Sequence, residues 1–306
     1  MGKSALLRTR SLLQPRIGAV LALVERAHWG DTEGVHDFRV ASRSLRAALR
    51  TLAKGREGRL VRKARRSLGR ATSSLADPRD RDVGRVLLSK GDSETVEQRA
   101  FKRRAIGISE SERRVALAKC AAEWPKDLNR LLIRLLDRRE TSVGTVIQRS
   151  RAEAWSERRG AIDILEALGR RFDAVGLHDM RKRVRSLRYA IEVLAEVDST
   201  AQARVIRLKP LQSALGNIQD HIVFSRWLAS QASRFRRRDP RLSAWLRRES
   251  ARSKARSMKA HKGFLALQPA KILEKLALHV DPHTEAPADR KRERRHPARM
   301  AGARRR

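Results

Sequence analysis

Two short segments of the sequence carry histidine and arginine at a spacing suited to binding anions. The first runs from His36 to Arg46, and the second runs from His178 to Arg188. When the segments are aligned at their histidines, 142 residues apart (178 − 36), 7 of 11 positions are identical: His, Asp, Arg, Arg, Ser, Leu and Arg. An internal repeat of this kind indicates a duplicated architecture. We therefore expect the two segments to have equivalent roles.

Both segments are predicted to be helical, because they contain no Gly or Pro and place apolar residues at helical spacing. At about 100° per residue, the basic residues of the first segment fall within an arc of about 80°, and those of the second form a similar stripe. Like charges three or four residues apart on a helix repel each other, so a ladder that occurs twice points to an anionic ligand. The predicted ligand-binding residues, with Arg50 and Lys182 at the margins, are His36, Arg39, Arg43, Arg46, Arg50, His178, Arg181, Lys182, Arg185 and Arg188.

Arginine suits an extended chain of phosphates, because its planar guanidinium donates two hydrogen bonds at once and stays charged. Rungs three or four residues apart lie about 5 Å from each other along a helix, so one chain can touch successive rungs. Each histidine falls in the first turn or so of its predicted helix, where the helix dipole favours anions. We expect each histidine to be largely neutral without ligand because of the neighbouring arginines, and a bound polyanion to raise its pKa.

These residues resemble the signatures of the CHAD domains, the conserved-histidine α-helical domains. The two segments match that family's two His-x-x-Arg-x-x-x-Arg/Lys-x-Leu-Arg signatures, and Tyr189 follows the second, as is usual there. Residues 75–80 resemble the Arg-Asp element of the family's first half, and residues 215–220 resemble the Leu-Gly-x-x-Gln-Asp element of its second half. The resemblance covers about residues 5–280. It implies an all-α fold of two pseudo-symmetric four-helix bundles around a central basic cavity, and binding of inorganic polyphosphate.

The composition of the chain also predicts an all-α fold. Ala, Leu, Arg and Glu dominate nearly every segment, and the alternation typical of strands is absent. We expect an N-terminal helical half at residues 1–140 and a C-terminal half at residues 141–280. In residues 281–306, Pro, Ala and Arg replace the apolar periodicity, so this segment is predicted to be a disordered basic tail.

Three further basic residues are predicted to contribute to the anion site. Arg62 and Arg66 belong to a basic stripe on the helix that follows the first ladder. A second wall of the site and a solvated surface are equally good interpretations of this stripe. Lys209, on the helix after the second ladder, completes the predicted set. Asp80 and Asp220 are interpreted as structural residues that each orient an arginine by paired hydrogen bonds.

The charge of the chain indicates polyanionic partners. The formal net charge is +37, from 71 Lys and Arg against 34 Asp and Glu. Residues 282–306 contain nine basic and three acidic residues, so the remainder still carries +31 (37 − 6). Nucleic acid, anionic lipid and polyphosphate are the candidate partners. The single cysteine excludes an intramolecular disulfide and fits a reducing cytosol.

A binding protein is favoured over an enzyme. The sequence shows no pair of acid–base carboxylates, no nucleophile with its base and no Gly-rich phosphate loop, and we expect neither a cofactor nor a metal. The alternative is a nucleic-acid-binding protein without sequence preference. A metal-dependent phosphohydrolase ranks third, because His and Asp at 36–37 and 178–179 diverge by about 100° on a helix and arginines disfavour a cation.

The cellular location is also predicted. No apolar run in the first 25 residues is long enough for a signal peptide or a membrane span. We therefore expect a cytoplasmic protein, and the family resemblance implies attachment to polyphosphate granules.

Overall fold

All regular secondary structure in the described part of the chain is α-helical. A computed structural model describes residues 9–51, 58–90, 95–137, 143–196 and 198–276. No helix within these ranges is long and apolar enough to cross a bilayer. The predicted tail at 281–306 lies outside the described residues. The described ranges contain eleven helices: α1 (Thr9–His28), α2 (Thr32–Thr51), α3 (Gly58–Ser74), α4 (Ala76–Ser89), α5 (Val96–Glu123), α6 (Leu128–Arg134), α7 (Val143–Leu168), α8 (Ala174–Ala195), α9 (Thr200–Phe235), α10 (Pro240–Ala266) and α11 (Pro269–Glu274).

The two repeated segments form α2 and α8, and each begins at an aspartate that caps its backbone. Asp31 Oδ1 accepts a hydrogen bond from the Gly34 amide at 2.6 Å. Asp173 accepts from the amides of Val175 and Gly176 at 2.9 and 3.2 Å. Such caps satisfy amide groups that have no partner within the helix. They set where each ladder helix starts.

Each ladder helix buries the apolar face next to its basic stripe. In α2 this face packs into a first core, formed mainly by α1, α2, α3 and α6. In α8 it packs into a second core, formed mainly by α7, α8 and α9. The apolar residues that anchor the two ladder helices are Val35, Phe38, Leu45 and Leu49 in α2 and Met180, Val184, Leu187 and Ile191 in α8.

A third core joins the two predicted halves of the chain. It combines Leu88 of α4 and Ala105 of α5 with residues of α9 and α10 such as Leu228 and Leu246, all nearly inaccessible to solvent. The long α9–α10 hairpin therefore packs over α4 and α5. The halves at 1–140 and 141–280 share this core, so they are not independent packing units. Their relation as pseudo-symmetric copies remains a prediction from the repeat.

Candidate functional site

The two ladder helices pack against each other and bring their arginines together. α2 and α8 are in direct contact. Arg39 and Arg43 of α2 lie close enough to Arg181 of α8 for the positive charges to disfavour each other. Arg185 of α8 experiences the same repulsion from both α2 residues. The contact between the helices therefore creates one positively charged region from two distant parts of the sequence.

Partial burial makes this region electrostatically unusual. Burial, followed by repulsion from Arg43, lowers the pKa of Arg39 to about 10 and that of Arg185 to about 10. Burial is also the main reason why the pKa values of Arg43 and Arg46 are lowered.

 For Arg46, repulsion from Arg50 and Arg43 adds to the effect of burial. These arginines are still charged at neutral pH, so a bound anion would relieve the repulsion between them.

Arg79 of α4 was not among the predicted site residues, yet it lies in the same region. After burial, it is the largest cause of the lowered pKa of His36, and it also disfavours the charge on Arg39 and Arg43. Its signal in the sequence was the Arg-Asp element, in which it directly precedes Asp80. The basic cluster, as we define it, consists of Arg39, Arg43, Arg46, Arg79, Arg181 and Arg185.

The basic cluster has few opposing charges. All six arginines are half-buried. Among the described residues, none of the six forms an ion pair, although Arg39 donates a hydrogen bond to the carbonyl of Thr72. The hydroxyl of Tyr189, the residue that follows the second signature, favours the charged form of Arg43. Half-buried guanidinium groups without carboxylate partners are the arrangement expected of an anion site.

The outer members of the predicted ladders differ from the centre because they face acidic residues. Arg50 pairs with Glu153 and, at 3.6 Å, with Glu157, both from α7. Arg188 lies 3.3 Å from Glu192. The two lysines of the predicted site, Lys182 and Lys209, are exposed. Lys182 pairs with Asp179 at 2.6 Å, and Lys209 lies near Glu192. These four residues lie at the edge of the predicted site, and a nearby carboxylate balances the charge of each.

On α3, the arginine that faces inward is not one of the two that we predicted. Arg62 and Arg66 are exposed, and the described charge interactions of the basic cluster do not include them. Arg65 is instead half-buried, and burial, followed by repulsion from Arg50 and Arg46, lowers its pKa to about 10. The cause is the apolar face of α3, which buries Val61, Ala64, Leu68 and Ala71 and carries Arg65 inward beside it. Arg62 and Arg66 therefore lie on the exposed side of α3, and their part in the anion site stays a prediction.

The two histidines lie at the exposed starts of their ladders. Part of the His36 ring is nevertheless shielded from solvent, and this partial burial lowers its pKa. The charges of Arg79, Arg43 and Arg39 lower it further, while Asp37 acts in the opposite direction. His178 is exposed on α8, and the interactions described for the basic cluster do not involve it. The expected neutrality of His36 without ligand agrees with the direction of its pKa.

Asp80 of α4 and Asp220 of α9 meet beside the basic cluster. Burial raises the pKa of each carboxyl, and the nearby charge of Arg181 partly offsets that effect for both. The two carboxylates are also close enough to repel each other, and this repulsion further raises the pKa of Asp220. The paired hydrogen bonds to arginine that we expected are absent among the described residues. The two carboxylates instead attract the arginines through space.

The enclosed basic cavity expected between the ladders remains a prediction. A cavity of about 440 Å³ lies elsewhere, where α7 ends and α8 begins, and residues such as Leu168, Phe172 and Asp179 line it. The described residues contain no group of three or more His, Cys, Asp or Glu placed to hold a metal ion. The candidate site is thus characterised by the charges that α2, α4 and α8 bring together.

Comparison with known protein families gives a match to the model of the CHAD domain over residues 11–229. The chain belongs to the CHAD domain family. Comparison with curated proteins gave no match. Among solved structures, the crystal structure of the CHAD domain from the plant Ricinus communis has 19% sequence identity and a TM-score of 0.59, and the alignment covers 92% of this chain and 96% of that one. PptA from Streptomyces chartreusis has 17% identity and a TM-score of 0.65, with 85% and 98% covered.

These similarities establish the fold of this CHAD protein. Both signature helices and the elements that carry Asp80 and Asp220 lie inside the matched residues 11–229. Helices α10 and α11 lie beyond them. The basic cluster therefore belongs to the part that defines the family, whereas the surface of α10 lies outside the family match.

Proposed function

We propose that this CHAD protein binds inorganic polyphosphate through the basic cluster between α2 and α8. Membership of the CHAD family suggests a polyphosphate-related role. The observation that carries the proposal is the convergence of six half-buried arginines without ion-pair partners among the described residues. Keeping such a group charged costs free energy, which an anion with many oxygens can offset.

Polyphosphate matches the cluster better than other phosphate ligands do. It is a thin linear chain with about one charge per phosphate, and it has no bases that need stacking or base-edge contacts. The arginines from α2 and α8 approach each other, so a thin chain lying along the line where the two helices meet can contact both ladders. Because such binding releases counterions, the affinity should fall steeply as salt concentration rises. We also propose that the protein acts in the cytoplasm, at polyphosphate granules.

A competition experiment tests this assignment. Fluorescently labelled long-chain polyphosphate is bound to the full chain at 150 mM salt, and duplex DNA of equal total charge is added. We expect DNA to displace little polyphosphate at stoichiometric amounts, because a wide, stiff duplex reaches half-buried arginines less well than a thin chain does. Stoichiometric displacement would instead support the alternative of a nucleic-acid-binding protein at this site.

The same samples distinguish binding from catalysis. We propose binding without hydrolysis, so incubation with Mg²⁺ or Mn²⁺ should release no orthophosphate from the bound polyphosphate. Release of orthophosphate that disappears in His36→Ala would contradict this proposal and support the metal-dependent phosphohydrolase.

Binding should tighten as pH falls, through His36. Burial and the charges of Arg79, Arg43 and Arg39 lower the pKa of free His36, and a bound polyanion should raise it. Protons are then taken up on binding, so affinity should rise as pH decreases from the raised pKa of the complex to the lowered pKa of the free protein. Above this window, affinity should not depend on His36.

Titration calorimetry near pH 6.5, in buffers of different ionisation heat, measures the proton uptake. The observed heat should depend on the buffer for the unmodified protein and depend less on it for His36→Gln. Equal heats in all buffers would rule out the linkage to His36.

A further inference from the structure

Helix α10 presents a second ladder of cations on a different surface. Its buried side, with residues such as Leu242, Leu246 and Phe264, packs mainly against α9. At about 100° per residue, five exposed basic residues fall within an arc of about 80° on the opposite side. They extend over 21 residues, or about 32 Å at 1.5 Å per residue. We call this set the α10 stripe: Arg241, Arg248, Arg252, Lys259 and Lys262.

The α10 stripe is only weakly compensated by acidic residues. Residues 240–266 contain eight Lys or Arg and a single acidic residue, Glu249. Arg252 pairs with Glu249 at 2.6 Å, and Arg241 lies 4.0 Å from an acidic residue of α5. Among the described residues, the other three members of the stripe form no ion pair. These three are Arg248, Lys259 and Lys262.

The stripe lies on a different side of the molecule from the basic cluster. Helix α9 packs against α8 and also against α10. On α9, Asp220 lies near Arg181 of the cluster, whereas the adjacent His221 hydrogen-bonds with Ser253 on the buried side of α10. The stripe faces away from that buried side. The α10 stripe is therefore a surface separate from the basic cluster.

The residues on the exposed side of α10 limit the classes of partner that can bind there. Its one large exposed hydrophobic residue is Met258, so the helix lacks the apolar face with which amphipathic helices enter a membrane. Its aromatic residues, Trp245 and Phe264, are buried and unavailable for stacking on the bases of a single strand. A flexible thin polyanion would contact a convex stripe from one side and lose conformational freedom there. A rigid duplex presents closely spaced phosphates without that loss.

We propose that the α10 stripe docks duplex nucleic acid through its phosphate backbone, without sequence preference. This surface would act in addition to the basic cluster and does not depend on polyphosphate binding there. With both sites occupied, one protein molecule would bridge a polyphosphate chain and a nucleic-acid duplex.

Matched charge reversals in the full chain test the proposal. One variant carries Arg248→Glu, Lys259→Glu and Lys262→Glu, and its control carries the same change at three exposed arginines of α3, Arg62, Arg66 and Arg70. Fluorescence anisotropy with a labelled DNA duplex measures Kd across a salt series. At 150 mM salt, we expect the α10 variant to bind duplex at least about tenfold more weakly. The slope of log Kd against the logarithm of the salt concentration should fall by about 2 to 3.

The control and the second ligand decide the interpretation. The α3 control should bind duplex within about threefold of the unmodified protein, and the α10 variant should keep its polyphosphate affinity within the same factor. An equal loss in the α3 control, or an equal loss of polyphosphate binding, would overturn the proposal. Unchanged duplex binding by the α10 variant would also overturn it.

Two further measurements separate this proposal from the others. The variant Arg43→Glu with Arg185→Glu should lose polyphosphate and still bind duplex, which distinguishes failure of the α10 stripe from failure of the basic cluster. Vesicles of phosphatidylserine and phosphatidylcholine should compete poorly with the duplex. Strong competition by these vesicles, lost in the α10 variant, would identify a membrane surface as the partner and overturn the proposal.

Discussion

Replacing Arg43 and Arg185 together by glutamate should weaken polyphosphate binding at 150 mM salt by about 100-fold or more. One residue comes from each ladder helix, and repulsion from Arg43, Arg181 and Arg39 lowers the pKa of Arg185, which places Arg43 and Arg185 together in the basic cluster. A charged hydrogen bond contributes about 1.5 to 3 kcal/mol, so losing two corresponds to at least that factor. Binding of labelled long-chain polyphosphate measures the loss.

The matched control changes the same number of charges outside the cluster. Arg62→Glu with Arg66→Glu alters two exposed residues of α3, and polyphosphate affinity should fall by less than about threefold. The melting temperature of the Arg43 and Arg185 variant should not fall, since the change removes repulsion between half-buried cations. Equal losses of affinity in the two variants would show that net charge, and not the cluster, determines binding.

Replacing Asp82 by alanine should destabilise the fold by about 3 to 5 kcal/mol. Asp82 is 1% exposed and accepts hydrogen bonds from Arg113 Nε at 2.6 Å and from Arg85 at 3.1 Å. Without this carboxylate, the largely buried guanidinium of Arg113 would lack its counter-charge, which is costly in a buried pair. Urea unfolding followed by circular dichroism measures the change in the free energy of unfolding.

The Asp82 contact also positions a ladder helix. Arg113 of α5 donates a second set of hydrogen bonds, to the carbonyl of Gly30 at 2.6 Å and to the hydroxyl of Thr32 at 3.3 Å, where α2 begins. Replacing Arg113 by methionine in the Asp82→Ala background should recover part of the stability, because it removes the unpaired charge.

An exposed ion pair provides the control for this prediction. Glu123 lies 3.9 Å from Lys119, and both side chains are more than half exposed, so Glu123→Ala should change stability by less than about 0.5 kcal/mol. A loss of less than about 1 kcal/mol for Asp82→Ala would contradict the assigned role of the Asp82 contact.

The ladder helices could be predicted because their pattern is local. In α2, the apolar spacing of Phe38 and Leu45 determines which face is buried, and the arginines then occupy the adjoining face whatever the rest of the chain does. The cap at Asp31 is also a short-range feature, since the aspartate and the amide of Gly34 are three residues apart. The repeat, with the family resemblance, then indicated that α8 should carry an equivalent ladder.

The composition of the site depended on contacts between distant segments. The spacing of basic residues on α3 suits a site wall as well as a solvated surface, and packing selected Arg65 over Arg62 and Arg66. Arg50 has the spacing of a ligand-binding rung, but α7 supplies two carboxylates to it. An isolated helix does not specify which charges its neighbours will bring.

Sequence periodicity thus determined the all-α class and the inward and outward faces of α2 and α8, since side-chain direction on a helix follows from residue spacing alone. Tertiary packing determined which arginines remain without carboxylate partners. It brought Arg79 into the basic cluster and placed two carboxylates of α7 beside Arg50. Electrostatic interactions act through space between segments far apart in the chain, so their balance was decided only when the helices packed together.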